Sequence, residues 1–329
     1  MTPELEQQIL KKLLKKSPCK LVVACSGGSD STALFYLLKK LAKKTKDLEL
    51  AICHINYELR EKESESEEKF LKEIAKEAQI PFFLKKPEKT EKVQKKIGVQ
   101  AWARKERYQI FANLAADGWQ IALAHTQDDL LENILMRISR GTSPIAAKGM
   151  SENHGSFWRP LLGTNKHELT QWLKEQKLSW KEDSSNAYLE YSRNKFRHKV
   201  IPALEEVYPT AKSHIIRFTE QSYELAKFAL EHLRRDLENC IQSEEGRVKI
   251  PLNFFRNLDN SLIHLILADF IRQFTKGNYT PENKMLTIIS LLIKEAPESS
   301  AQKQLTTDLF FKIEVGELIF ITTADNHVA

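Results

Sequence analysis

Six consecutive residues, Ser26-Gly27-Gly28-Ser29-Asp30-Ser31, place two glycines, three hydroxyls and one carboxylate between an apolar run and a helical pattern. The glycines permit positive φ and close approach of a ligand to the backbone, and a helix N-terminus offers unpaired N–H groups to an anion. Such a loop can cradle phosphate, although Gly-Gly with Ser and Asp is also the ordinary chemistry of a tight corner. A second group, His125-Thr126-Gln127-Asp128-Asp129-Leu130-Leu131-Glu132, sets a histidine and three carboxylates at a helix start. Asp129 and Glu132, three apart, share a face. They complement a helix dipole, and beside a phosphate loop they also suit Mg²⁺ or an amine. Arg104 and Arg107 stand one turn apart, either on a solvated face or as cations for polyphosphate or an RNA backbone, with Trp102 and Tyr108 as core or stacking residues. Ser192 to Lys199 carries Arg193, Asn194 and Arg197 around Phe196, and reads as a solvated helix end or a phosphate-contacting patch.

The elements that must position these groups alternate. Apolar runs at Leu21–Ala24, Leu48–Ile55, Pro81–Leu84 and Trp119–Ala124 read as strands. Helical patterns lie at 3–16, 33–41, 64–79, 99–117, 126–139 and 166–177. This alternation predicts an α/β fold, a doubly wound parallel sheet whose strand ends bring Ser26–Ser31, His54–Asn56 and His125–Asp129 to one crevice. Residues 141–155 read as an irregular loop. From about Pro209 the character changes: helices at 210–239 and 260–274, and two strands about Gly316 within Leu309–Thr322, predict a smaller, mainly helical C-terminal domain. The Walker loop and the G-x-G-x-x-G run are absent, so a phosphate loop here is of another kind. No nucleophile with an adjacent general base is evident, which weighs against triad hydrolysis.

At 329 residues the chain has core material for two domains without disulfide or metal staples. No window has the length of apolar sequence that spans a bilayer, and the charged first helix is unlike a signal, so the expectation is a cytoplasmic protein with no membrane partner. The formal net charge of +6 permits a polyanionic partner. Cys19, Cys25, Cys53 and Cys240 lack C-x-x-C spacing, and buried free thiols are expected.

The S-G-G-S-D-S run after a strand resembles the pyrophosphatase-type (PP) loop of N-type ATP pyrophosphatases, which cleave ATP between its α- and β-phosphates. With it come HINYELR (54–60), ARKERY (103–108), AHTQDDLLENILMRISRGT (124–142), KGM (148–150), RPLL (159–162) and EDSSNAYLEYSRNKFRHKVIPAL (182–204). Over roughly the first 205 residues this ordered set resembles the bacterial tRNA(Ile)-lysidine synthetase family. The resemblance implies an adenine nucleotide alpha hydrolase-like catalytic domain at 1–205 and a tRNA-binding or accessory domain at 206–329. It implies an ATP-dependent ligase that joins free L-lysine to carbon 2 of the wobble cytidine of isoleucine tRNA with CAU anticodon. The base is adenylated with loss of pyrophosphate, and the amine then displaces AMP. By this resemblance Ser26, Gly27, Gly28, Ser29, Asp30 and Ser31 bind ATP, Asp30 being the Mg²⁺ ligand. Asp129 and Glu132 hold lysine, Arg104 and Arg107 stabilise negative charge, and Arg193, Asn194 and Arg197 place the tRNA. No protein partner is implied beyond self-association. The family has histidine where Thr126 stands, Asn-His-Gly-Leu-Arg where this chain reads Asn56-Tyr57-Glu58-Leu59-Arg60, and glutamine at Leu130. Another PP-loop enzyme, such as a cytidine 2-thiolase, would need cysteines for sulfur or a cluster, and a non-catalytic RNA-binding module would have lost the loop carboxylates.

Overall fold

The computed structural model describes residues 3–16, 19–45, 48–59, 61–87, 98–182, 192–244, 247–275, 281–295, 301–306, 309–314 and 316–322. Arg60 and the polar run 183–186 lie outside them. The chain divides into two compact units, one of residues 1–133 and 150–202, the other of 134–149 and 203–329.

The first unit is built on strands β1 (Lys20–Ala24), β2 (Glu49–Ile55), β3 (Phe82–Lys85), β4 (Gln120–Ala122), β5 (Asn153–His154) and β6 (Phe157–Trp158), in the order β3-β2-β1-β4-β6-β5. All neighbours are parallel except β5, which runs against β6. The unbroken apolar character of Leu21, Val22 and Val23 follows from this central position, where both faces are covered. On one face α1 (Pro3–Lys16) and α2 (Ser29–Ala42) pack Ile9, Leu13, Leu34 and Leu38 with Leu21 and Val23, joined by Trp158. On the other, α4 (Val99–Ala116) brings Phe111 and Leu114 onto Val22, Ala51 and Ile121. α3 (Glu61–Ala78) adds Leu71 and Ile74 to the first of these cores, and α5 (Gln127–Ser139) follows β4 in the chain. Strand order reverses between β1 and β4, and in open α/β sheets that switch point opens a crevice at the strand ends.

In the second unit α6 (Pro144–Ala147) interrupts the segment read as irregular. Among its other elements are α10 (Ala211–Glu238), α12 (Asn260–Phe274), α13 (Asn283–Glu295) and an antiparallel sheet ordered β7-β8-β11-β10-β9, comprising β7 (Gln242–Glu244), β8 (Arg247–Pro251), β9 (Ala301–Thr306), β10 (Leu309–Glu314) and β11 (Glu317–Thr322). Gly316, at φ 78°, sits in the β10–β11 hairpin. Alternate residues Leu309, Phe311 and Ile313 face a core shared with Ile263, Ile266, Ile271 and Ile289. The helices expected near 210–239 and 260–274 are present. The five-stranded sheet gives the unit more β structure than the two strands read from sequence. Among the described residues no helix is long and apolar enough to cross a membrane.

Candidate active site

The turn from β1 into α2 is tied by its own hydroxyls. The Ser31 Oγ donates to the Gly28 carbonyl at 3.1 Å and accepts from the Ser26 N–H at 3.2 Å, while the Thr32 hydroxyl donates to the Gly27 carbonyl at 3.1 Å. Gly27 adopts φ 91°, a conformation glycine enters without steric cost. These bonds leave the first turn of α2, with Ser29 and Asp30, at the mouth of the crevice, where N–H groups and the helix dipole favour an anion.

Two cavities flank this loop, and Ser26, Asp30 and Ser31 line both. One, of about 270 Å³, lies at the ends of β1, β2 and β4 and is walled by Tyr57, Arg104, Arg107, Tyr108, Phe111 and His125. The Arg107 Nε donates to the Tyr57 hydroxyl at 3.1 Å, and the Arg104 guanidinium lies 4.9 Å from the Tyr108 ring centre. Flat aromatic walls and two cations suit a nucleobase next to phosphate. The other, of about 580 Å³, is polar, lined by Lys166, Lys174, Lys181 and Arg197 as well as the loop. The Lys166 ammonium stands 3.3 Å from the Asp30 carboxylate. Burial raises the Asp30 carboxyl above its ordinary value, with Lys166 opposing and Asp129 reinforcing the rise.

The carboxylates of α5 are both held by arginines. Arg193 donates from Nε to Glu132 and from Nη2 to Asp129, each at 2.6 Å, and the Arg197 Nε donates to Glu132 at 2.6 Å. Glu132 is 1% exposed, so its charge is tolerated only because both guanidiniums face it. Asp129 also accepts the Thr126 N–H at 2.8 Å and the Thr126 hydroxyl at 3.1 Å, a reciprocal cap at the helix start. Burial works to raise the Asp129 carboxyl, but Arg193, the Thr126 N–H and His125 outweigh it and hold the group below the usual carboxylate range. Asp128 points elsewhere and accepts the Lys166 N–H at 2.9 Å, capping α7 (Lys166–Glu175).

His125 is neutral at pH 7. Desolvation lowers it to about 4, assisted by Arg159, Arg193 and Arg107 and opposed by Asp129, and its Nδ1 accepts from the Arg159 Nε at 3.2 Å. Arg159, buried in the RPLL run, donates onward to the Ser151 carbonyl at 2.9 Å. His54, also buried and lowered, donates from Nδ1 to the Cys25 carbonyl at 2.9 Å, holding the strand end that feeds the loop.

Thus Ser26–Ser31, Arg104 and Arg107 meet around the crevice, and Asp129, Glu132, Arg193 and Arg197 form one ionic cluster whose Arg197 reaches the lysine-lined cavity. Asn194 is half-buried beside the two arginines in sequence. Sequence reading did not single out Lys166, Lys174 or Lys181, and met Arg159 only as the first residue of the RPLL run. The signal of the three lysines, lone basic residues in helical or polar stretches, has no local pattern. Glu58, at the position where the resembling family has glycine, adopts φ 49° with its N–H donating to the Asn56 side chain at 2.8 Å. The buried-thiol expectation holds for Cys25 and Cys53, whose thiols burial pushes up, Cys53 to about 12. Cys19, just ahead of β1, is exposed and Cys240 is half-buried. Thiols held in the protonated form are poor sulfur carriers.

The parallel sheet, the loop at its switch point and the flanking cavities define a PP-loop protein, and the family model described as PP-loop domain matches residues 1–204. The chain is 34% identical over 311 residues to the bifunctional protein TilS/HprT of Listeria innocua, covering 90% of this chain and 47% of that protein. It is 30% identical over 272 residues to the tRNA(Ile)-lysidine synthase of Petrotoga mobilis, covering 80% of this chain and 81% of the relative. Among solved structures, the U34-tRNA thiolase NcsA of Methanococcus maripaludis shares the fold, with TM-score 0.56 at 20% identity over 67% of this chain and 78% of that one. The chain belongs to the tRNA(Ile)-lysidine synthase family. It spans about half the length of the bifunctional relatives it matches.

Proposed function

We propose that the chain ligates free L-lysine to carbon 2 of the wobble cytidine of isoleucine tRNA with CAU anticodon, consuming ATP and releasing AMP and pyrophosphate. The observation that carries this reading is the Asp129–Glu132 pair, a two-carboxylate cation site already filled by guanidiniums and next to the phosphate loop. Replacing the carbon-2 oxygen by nitrogen requires that oxygen to become a leaving group. It attacks the α-phosphate, pyrophosphate departs, and the adenylated base then accepts the amine while AMP leaves with the oxygen. The Ser26–Ser31 backbone and the α2 N-terminus hold the phosphates, with Lys166, Lys174 and Lys181 around the departing pyrophosphate. Arg104 and Arg107 stabilise charge on the α-phosphate side, and the aromatic-walled cavity takes the adenine.

Asp30 suits Mg²⁺, which is commonly held by one or two carboxylates together with phosphate oxygens and would neutralise charge on the breaking phosphoanhydride. Among the described residues no cluster of three or more His, Cys, Asp or Glu side chains offers a metal cage, and a nucleotide-completed site needs none. Lysine's amine has a reference pKa of roughly 10.4 and must lose a proton before attack. Asp129 and Glu132 receive the ammonium in exchange for arginine contacts, and one of them accepts that proton. Arg193 and Arg197, freed in this exchange, turn to tRNA phosphates with Asn194, and residues 206–329 serve as a tRNA-binding or accessory domain. The basic balance of the chain supports a polyanionic substrate.

The test is incorporation of labelled lysine into an unmodified isoleucine tRNA transcript with CAU anticodon, with and without ATP, against methionine tRNA. ATP-dependent, tRNA-selective labelling is expected. AMP release without lysine incorporation would refute the assignment of the carboxylate pair.

A further inference from the structure

Tyr57, just past the end of β2, closes a small hydrogen-bonded loop on helix α4. Its hydroxyl donates to the Ala103 carbonyl at 3.1 Å and accepts from the Arg107 Nε at 3.1 Å. A hydroxyl serves both partners because it is donor and acceptor together. Ala103 and Arg107 stand about one helical turn apart, so a single oxygen ties the arginine side chain to the backbone of the preceding turn.

The tyrosine is itself fixed. Its ring meets that of Trp102, which is 1% exposed, edge to face at 5.9 Å. The backbone before it is held by buried Asn56, whose N–H donates to the Lys85 carbonyl at 2.9 Å and whose side chain donates to Glu68 at 3.1 Å and accepts the Glu58 N–H. The Arg107 guanidinium lies 5.9 Å from the Tyr57 ring centre, at the outer limit of a cation–π contact, so the hydroxyl and not the ring face carries the pairing. Among the described residues Arg107 makes no other side-chain hydrogen bond, and its Nη1 and Nη2 remain for a ligand in the cavity that Tyr57 and Arg107 both line.

We propose that Tyr57 is a positioning residue for the adenylation step: its hydroxyl fixes Arg107 by Nε so that the two Nη groups are presented, before substrate arrives, where charge develops on the α-phosphate. This rests on the ligase reading above and adds to it how an exposed arginine acts without first having to be ordered. Arginine carries much rotamer freedom, and a bond made in the free protein removes part of that cost from the transition state. Arg104 is held differently, with its guanidinium 4.9 Å from the Tyr108 ring centre, a stacking contact that fixes distance more than direction. Position 57 is also where the chain departs from the histidine of the resembling family, so this tether belongs to the chain's own sequence.

The test is single-turnover pyrophosphate release from ATP, with lysine and an isoleucine tRNA transcript bearing CAU, for the wild type, Tyr57→Phe, Arg107→Met and the double variant. Tyr57→Phe keeps the ring and its Trp102 contact. It should slow the step about 10- to 100-fold at saturating ATP, with the half-saturating ATP concentration changed less than about twofold. Arg107→Met should slow it about 100- to 1,000-fold, and the double variant should be no slower than Arg107→Met alone, because a residue that acts through another has no effect once that other is gone. Without substrate, the Arg107 Nε–H magnetic resonance signal, assigned by its disappearance in Arg107→Met, should be present in the wild type and lost in Tyr57→Phe. An unchanged rate for Tyr57→Phe, a double variant slower than Arg107→Met by the full Tyr57→Phe factor, or an unchanged signal would each overturn the inference. A wild-type chain that releases no pyrophosphate would refute the ligase reading instead, and the signal would still report the tether.

Discussion

Replacing Glu132 with glutamine removes one charge from the centre of the ionic cluster and keeps its shape. In the free protein the Arg193 and Arg197 Nε donors lose charge assistance on 2.6 Å bonds. Charge-assisted bonds contribute about 1.5–3 kcal/mol each, but Arg193 is 44% and Arg197 26% exposed, so solvent screens much of this. A net loss of about 1–2 kcal/mol follows, a fall in Tm of roughly 3–6 °C for a unit of this size. In the proposed reaction, lysine binding suffers more. Two unit charges at hydrogen-bond range attract by about 4 kcal/mol at an effective dielectric of 20, and desolvation offsets part of this, leaving about 2–3 kcal/mol. The KM for lysine should therefore rise roughly 30- to 150-fold, with the KM for ATP little changed. Steady-state lysine incorporation, titrating lysine and ATP separately, reads both. An unchanged KM for lysine, or a rise confined to ATP, would refute the lysine site.

Lys166→Met removes the cation 3.3 Å from Asp30 and should raise the KM for ATP roughly tenfold, with the Asp30 carboxyl rising further for want of an opposing charge. An unchanged KM would place the pyrophosphate elsewhere. His125, lowered from 6.5 to about 4, binds a proton more readily in the unfolded chain. Stability is therefore fully present above pH 6.5 and falls as pH drops toward 4; His125→Gln should reduce that fall by about 2–3 kcal/mol, checked by Tm at pH 7 and pH 4.5. His54, lowered by the same burial, should account for part of what remains. Gly27→Ala meets no clash, its added methyl lying 3.7 Å from the Lys181 side chain, so its cost comes from φ 91° alone. It should destabilise by about 1–2 kcal/mol and weaken ATP binding, and an unmoved Tm would refute the argument.

The strands of the first unit were legible because a buried parallel strand must be apolar throughout, as Leu21–Val23 and Leu50–Cys53 are. The loop was legible because glycine, hydroxyl and carboxylate chemistry must be contiguous to shape a turn. The Asp129–Glu132 pair followed from helical spacing, but its partners did not, since Arg193 and Arg197 lie some sixty residues downstream and only tertiary folding opposes them. Lys166, Lys174 and Lys181 were hidden for the same reason. Helix Asn283–Glu295 and strands β7 to β9 went unread. Short strands such as the exposed Gln242–Glu244 carry little alternation, and their pairing is a property of the assembled sheet.

Ser26, Asp30 and Ser31 wall both cavities, so the phosphate loop is a partition with a different room on either side. For the proposed reaction this separates the exits of the two fragments of ATP. Pyrophosphate can drain through the lysine-lined room while the adenosine half stays seated against Tyr57 and Tyr108, keeping the activated base in place until an amine arrives. The same plan makes the first half-reaction reversible from one door only: added pyrophosphate should drive ATP resynthesis from the adenylated RNA until lysine enters, and not afterwards.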